Sequence, residues 1–206
     1  MKVIRGIVFD FGGVISLPMD PGFLPKVQAL TGWAPEQTLA GWRRHRAKMD
    51  ADAISIRELY RCLAADHGQT LAPDVVDALA EADFAAWARP NPETLAWARA
   101  LKAEGYRIGI LTNMPTDFLP WFDRCAAEFR ALADAEVVSG AEGIVKPDPA
   151  IYALMARRID LPPEALLFLD DTLANVEAAR ACGWHALRFT SAAEADVTLR
   201  ALEAHA

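Results

Sequence analysis

Apolar and polar residues alternate along the chain in two distinct rhythms. Three short runs are almost continuously apolar: Val3 to Phe9, "YRIGILT" (Tyr106 to Thr112) and "ALLFLD" (Ala165 to Asp170). Unbroken runs of this length, rich in branched side chains, predict parallel strands buried on both faces. Helical segments with readable ends lie between and beyond the last two. Asn91 followed by Pro92 predicts a helix start and Gly105 a stop. Asp148 with Pro149 starts a helix running to about Arg158, and Ser191 with Glu194 has capping-box spacing for a last one. Strand and helix thus alternate from Pro90 onward, which predicts an α/β fold: a doubly wound, Rossmann-like parallel sheet with helices on both faces.

The stretch from Leu17 to Ala85 breaks that alternation. It shows helical periodicity in "PEQTLAGWRRHRAKM", "SIRELYRCLAADHG" and "APDVVDALAEADFAAWA", and no strand-like run. An all-helical insertion over residues 17–85 is predicted, with residues 1–16 and 86–206 forming the sheet-bearing core.

Composition narrows the function classes. With 206 residues, 53% of them hydrophobic, the chain is long enough for one sizeable core with a smaller second lobe. A net charge of −7 argues against nucleic acid or an acidic membrane as partner, since phosphate backbones are bound by a surplus of Lys and Arg. The one basic cluster, "WRRHRAK" (Trp42 to Lys48), reads mostly as a solvated helix face. No apolar stretch approaches the ~20 residues that span a bilayer, and the N-terminus runs straight into a strand, which points to a cytoplasmic protein. Cys62, Cys125 and Cys182 are odd in number and far apart, so they read as small buried apolar residues and not as a disulfide or zinc framework. His45, His67, His185 and His205 are scattered, with no spacing that marks a metal or a triad.

Candidate chemistry falls at the strand ends. Ligands of an open parallel sheet bind outside the carboxyl ends of its strands, near a topological switch point. Asp10, Thr112 with Asn113, and Asp170 with Asp171 each follow one of the three apolar runs. Singly, each is an ordinary turn former or helix cap. Together they place three carboxylates in one mouth, where mutual repulsion calls for a cation, and a hard, oxygen-seeking ion such as Mg²⁺ is the economical one. Lys146, in a loop just before a helix, is positioned to reach the same mouth. Carboxylates, metal, hydroxyl, amide and lysine are the set that phosphoryl transfer requires.

These residues carry a family resemblance. "VFDFGGVI", "ILTN", "GIVKPDPAIY" and "LFLDDTLANVEAARACGW" are similar to the four motifs of the haloacid dehalogenase superfamily, in order and over nearly the whole chain. The resemblance implies a Rossmann-like core, a helical cap inserted after the first motif, and a phosphoaspartyl mechanism on a small phosphorylated substrate. Asp10 would be the nucleophile. Mg²⁺ would be held by Asp10, the Gly12 carbonyl and Asp171, with Asp170 in or behind that shell. Thr112, Asn113, Gly13 and Lys146 would bind the phosphoryl group, and Asn175 would orient the acidic loop.

One departure stands out. Most phosphatases of the superfamily have a second aspartate two positions after the nucleophile, serving as general acid and base; here that position is Gly12. The loss of such a group costs typically 10²–10⁴-fold in rate. The first reading is a phosphatase that takes its proton from a cap residue, the substrate or water, and favours acidic leaving groups such as a sugar 1-phosphate or an aryl phosphate. The second is chemistry at carbon, as a 2-haloacid dehalogenase or, with Lys26 or Lys48 as a Schiff-base lysine, a carbon–phosphorus hydrolase. The third is a phosphate-binding protein with little turnover. Asp20, Arg43, Arg44, His45, Lys48 and Asp50 are the polar cap residues placed to line an entrance, while Trp33, Trp42 and Trp87 read as cap packing.

Overall fold

The computed structural model describes residues 3–204, so His205 lies outside the described residues. Five strands form one fully parallel sheet in the order β3-β2-β1-β4-β5: β1 (Gly6–Phe9), β2 (Arg107–Thr112), β3 (Ala135–Val138), β4 (Leu166–Asp170) and β5 (His185–Arg188). β1 is central, pairing Phe9 with Ile110 on one side and with Leu169 on the other. The chain builds β2 and β3 on one flank and then crosses to β4 and β5 on the other. The switch point therefore lies between β1 and β4, and the C-terminal ends of all five strands face one way.

The apolar runs bury both sheet faces, as an all-parallel sheet requires. Ile7, Phe9, Ile108 and Ile110 pack on one face with α5 (Pro92–Ala103), α6 (Leu119–Cys125), α7 (Ala127–Leu132) and α11 (Ala192–Ala204). Val8, Leu111, Val137 and Phe168 pack on the other with α9 (Pro149–Ile159) and α10 (Leu173–Ala181). A single short turn of helix, α8 (Ser139–Glu142), follows β3.

The capping signals act as read. Asn91 Oδ1 accepts from the Glu93 and Thr94 amides, Asp148 Oδ1 from Ala150, and Ser191 Oγ from Glu194. Three strands differ from the sequence expectation: β1 begins at Gly6, not Val3, and the edge strands β3 and β5 have no counterpart among the three apolar runs. The thiols of Cys62, Cys125 and Cys182 are free and only half-buried, a correction to the expectation of buried apolar residues.

Between β1 and α5 lie four helices, α1 (Phe23–Thr31), α2 (Pro35–Asp50), α3 (Ile56–Asp66) and α4 (Pro73–Trp87). They have a core of their own, in which Val27, Leu59, Tyr60, Leu63 and Leu79 are fully buried. Gly41 brings α2 and α3 together, since a Cβ there would lie 2.5 Å from Leu63 Cγ. The chain leaves and rejoins the sheet-bearing part side by side: Ser16 bridges Pro90, Leu17 donates to the Arg89 carbonyl and Asn91 to that of Ile15.

Candidate active site

Asp10 follows β1 and opens a single wide turn, Phe11–Ile15. Its Oδ1 accepts from the Phe11 amide at 2.7 Å, which holds the carboxylate at the strand end. Gly13 has φ +72°, a conformation that favours glycine, and a Cβ there would also lie 2.9 Å from Asp171 Oδ2. Gly12 has ordinary backbone angles, φ −65° and ψ 122°. Its reason is proximity: a Cβ would lie 3.3 Å from Cζ3 of Trp87. The indole crowds the position, and a side chain there would require it to give by a few tenths of an ångström.

Asp170 is the last residue of β4 and is fully buried. Its oxygens accept from the Asn175 side chain at 3.0 and 3.2 Å, from the Thr172 amide at 2.8 Å and from Lys146 Nζ at 2.7 Å. Asp171 is exposed beside it. Lys146 is 4% exposed, and its ammonium uses all three hydrogens, on Asp170, on Asp10 Oδ1 at 2.9 Å and on the Leu111 carbonyl at 3.1 Å. Its loop is fixed by the Asn113 side chain, which accepts from the Lys146 amide at 2.8 Å and donates to its carbonyl at 3.0 Å. Thr112, the last residue of β2, is buried against the same opening. Among the sequence-predicted residues, Asp10, Gly12, Thr112, Asn113, Lys146, Asp171 and Asn175 line one cavity, with Gly13 and Asp170 directly behind it.

The charges do not balance. Carboxylate oxygens of Asp10, Asp170 and Asp171 lie within 4.8 Å of one another, with one ammonium among them. Burial pushes Asp10 up to about 7; Lys146 pulls it down, and Asp170 and Asp171 raise it again. Burial and Asp170 likewise raise Asp171. Burial opposes the charge on Lys146, but Asp10 and Asp170 outweigh it and hold the ammonium protonated. A cluster of three acids and one base is short of positive charge, and its donors are all hard oxygens. That fits a divalent cation of the Mg²⁺ type.

The cavity, of about 620 Å³, is walled on one side by the helical insertion. Met19, Leu39, Trp42, Met49, Phe84 and Trp87 form much of its apolar wall. Trp42 and Trp87 are therefore lining residues as well as packing residues, whereas Trp33 sits in the insertion's core and donates its indole N–H to Gln69. Of the polar cap candidates only Asp50 lines the cavity. Arg43 and Lys48 are exposed, Arg44 and His45 pair with Asp66, and Asp20 pairs with Arg89. Lys26 is exposed as well, so neither cap lysine borders the cavity.

Two charged lining residues were not singled out from the sequence. Arg46 and Asp83 join Asp50 in the cavity roof, so Arg46 is the exception within a "WRRHRAK" cluster read as mostly solvated. Arg46 Nε donates to Asp50 Oδ1 at 3.1 Å, its Nη1 lies 3.9 Å from Asp83, and its guanidinium sits 5.3 Å from the Trp42 ring. The available signal was position: Trp42, Arg46, Met49 and Asp50 share one face of α2 with the buried Thr38.

Comparison with known proteins agrees with the motifs. Residues 4–183 match the family model described as haloacid dehalogenase-like hydrolase. A sesquiterpene phosphatase of Aspergillus oryzae is 32% identical over 114 residues, 55% of this chain; the chain spans 58% of that relative's length. A phosphatase of Mycobacterium tuberculosis is 27% identical over 188 residues, covering 89% of this chain and 86% of its own. Among solved structures, a HAD family enzyme of Bacteroides thetaiotaomicron, as an Asp-to-Ala mutant in complex with magnesium and inorganic phosphate, superposes with TM-score 0.72 at 16% identity, covering 91% and 95% of the two chains. The L-2-haloacid dehalogenase PA0810 does so with TM-score 0.61 at 27% identity, covering 89% and 82%. Among the described residues no helix is long and apolar enough to cross a membrane.

Proposed function

Since the chain belongs to the haloacid dehalogenase-like hydrolase family, we propose that it is a Mg²⁺-dependent phosphoric monoester hydrolase acting through an aspartyl-phosphate on Asp10. The observation that carries this reading is the Lys146 ammonium between Asp10 and Asp170, with Asp171 as a third acid beside them. Mg²⁺ would be held by Asp10, the Gly12 carbonyl and Asp171. Asp170, whose oxygens are taken by Asn175, Thr172 and Lys146, stands behind and orients the set. When bound, the ion supplies positive charge against the phosphoryl oxygens and the nucleophile.

The chain's own residues do the rest. Asp10, fixed by the Phe11 amide, attacks phosphorus; Thr112 donates its hydroxyl to a phosphoryl oxygen; Lys146 favours the ionised form of the nucleophile and offsets the substrate's charge. Asn113 keeps the Lys146 loop in place, and Gly13 lets Asp171 close on the turn.

The core, 1–16 and 86–206, carries this chemistry, and the cap, 17–85, selects the leaving group. The substrate is a small phosphoester, of an aryl alcohol or a sugar, whose ring packs against Trp42 and Trp87. With a net charge of −7, the protein is suited to a small molecule and not to nucleic acid, in the cytoplasm. Chemistry at carbon fits less well: a dehalogenase has no use for a third carboxylate beside the nucleophile, and neither cap lysine faces the cavity. The test is release of inorganic phosphate from a phosphoester panel with Mg²⁺ and with EDTA. Metal-dependent release, abolished by Asp10→Asn, is expected. Metal-independent release, or halide release from a 2-haloacid in EDTA, would overturn the reading.

A further inference from the structure

We propose that Asp50, at the C-terminal end of α2, is the acid and base of the reaction, delivered from the insertion in place of the aspartate that Gly12 lacks. The inference rests on the phosphatase reading above. Three observations carry it.

First, position 12 carries no acid and is crowded: the Trp87 ring stands 3.3 Å from where a Cβ would be, so in this chain the proton carrier is sought elsewhere in the cavity. On the roof side the lining residues that carry a proton or charge are Arg46, Asp50 and Asp83.

Second, Asp50 is held against the core more firmly than a mobile cap residue would be. Its carbonyl accepts from Ser139 Oγ, the first residue after β3, and that same oxygen accepts from the Met114 amide, two residues beyond Thr112. Just downstream, Asp52 accepts from the Thr116 amide at 2.8 Å, and the Ile56 amide donates to Asp117 at 3.1 Å. Gly140 permits this docking, since a Cβ there would lie 2.7 Å from Asp52 Oδ1. Asp50 is thus pinned beside the ends of β2 and β3, in the cavity that Thr112 and Asp10 also line.

Third, the roof holds one guanidinium against two carboxyls, so its charges are not balanced among themselves. Asp83 is committed: its Oδ2 accepts from the buried Tyr60 hydroxyl at 2.7 Å. Asp50 engages only Oδ1, with Arg46, and among the described residues Oδ2 makes no hydrogen bond. The charged groups around Asp50 are Arg46 on its own helix, Asp83 on α4 and Lys146 below, and the Tyr60 hydroxyl of α3 is bound to Asp83. Burial raises Asp50 and Asp83, while Arg46 restrains both.

The steps balance as follows. Asp10 forms its bond to phosphorus as the bond from phosphorus to the leaving oxygen breaks, and Asp50 gives its proton to that oxygen. Asp50, now ionised, takes a proton from the water that attacks the aspartyl-phosphate. Inorganic phosphate leaves, and Asp10 and Asp50 return to their starting states.

The experiment is rapid-mixing kinetics of the whole protein and its Asp50→Asn variant with Mg²⁺, on p-nitrophenyl phosphate and on alkyl phosphates of rising leaving-group pKa. The wild type should show kcat/KM nearly independent of leaving-group pKa. Asp50→Asn should lose about 10²–10⁴-fold on the alkyl esters. On the nitrophenyl ester, whose leaving group needs no proton, it should give a stoichiometric burst of nitrophenolate and then stall as a phosphoenzyme. A structural role would lower burst and turnover on all esters alike, and that result overturns the proposal. If the variant does not fold, the wild-type slope decides: a steep fall with leaving-group pKa also overturns it. A wild type that releases no phosphate from any ester refutes the phosphatase reading itself.

Discussion

Replacing Lys146 by methionine keeps the stem of the side chain and removes the one positive charge set among the three acids. Its ammonium makes two ion pairs and a carbonyl hydrogen bond, all buried. Breaking a buried pair by removing one partner costs about 3–5 kcal/mol, because the other charge is left uncompensated. The cost should depend on pH. Asp10 has a folded pKa raised from 3.8 to about 7, so the folded state holds a proton that the unfolded chain gives up. Stability from such a group is fully present below the unfolded value and is lost as pH rises through the folded one. Without Lys146 the folded value climbs further, and each added unit is about 1.4 kcal/mol. At about pH 5 Asp10 is protonated in both proteins; at about pH 8 it is ionised in the wild type and costly in the variant. Urea unfolding in EDTA should therefore show a larger loss at pH 8 than at pH 5, by about 1–2 kcal/mol. Excess Mg²⁺ should recover part of the pH 8 loss, since an ion that binds only the folded state stabilises it. Equal losses at both pH values would refute the assignment of Lys146 as the counter-charge to Asp10.

Two further perturbations test other parts of the molecule. Gly41→Ala places a methyl 2.5 Å from Leu63 in the α2–α3 contact and should destabilise by about 1–3 kcal/mol, read as a lowered urea midpoint with unchanged m. Asn175→Ala removes the amide that spans both Asp170 oxygens; leaving them short of a buried donor should cost about 1–3 kcal/mol and raise the Mg²⁺ concentration needed for half-maximal phosphate release, whereas an unchanged Mg²⁺ requirement would remove Asn175 from the acidic loop.

The elements legible in the sequence are those whose burial is complete. β1, β2 and β4 are central strands and read as unbroken apolar runs, and the residue ending or following each gives Asp10, Thr112 and Asp170. β3, with Glu136, and β5, with His185 and Arg188, are four-residue edge strands that are partly exposed, so their polar positions hide them. α1 is obscured by Pro25 in its first turn. Arg46 and Asp83 were not legible because each, on its own helix, resembles a solvated charge; their contact joins residues 37 positions apart. The relation between Gly12 and Trp87 is likewise invisible along the chain. A glycine in place of an acid reads as a loss, and only the folded molecule shows an indole crowding that position.

The stitch at Ser16 and Pro90 makes the helical insertion a detachable unit in evolutionary terms. Its two chain ends are already held together by the Leu17–Arg89 and Ile15–Asn91 hydrogen bonds. Changing the length of what lies between costs little, about 0.6 kcal/mol for each doubling of a flexible loop. A descendant could therefore trade the whole of 17–89 for another insert while every ladder of the sheet, and with it the placement of Asp10, Thr112 and Asp170, stayed in register. If Asp50 is the proton carrier, such an exchange would replace half of the chemistry along with the specificity. A graft onto this core would have to bring its own acid, or move Trp87 aside and restore one at position 12.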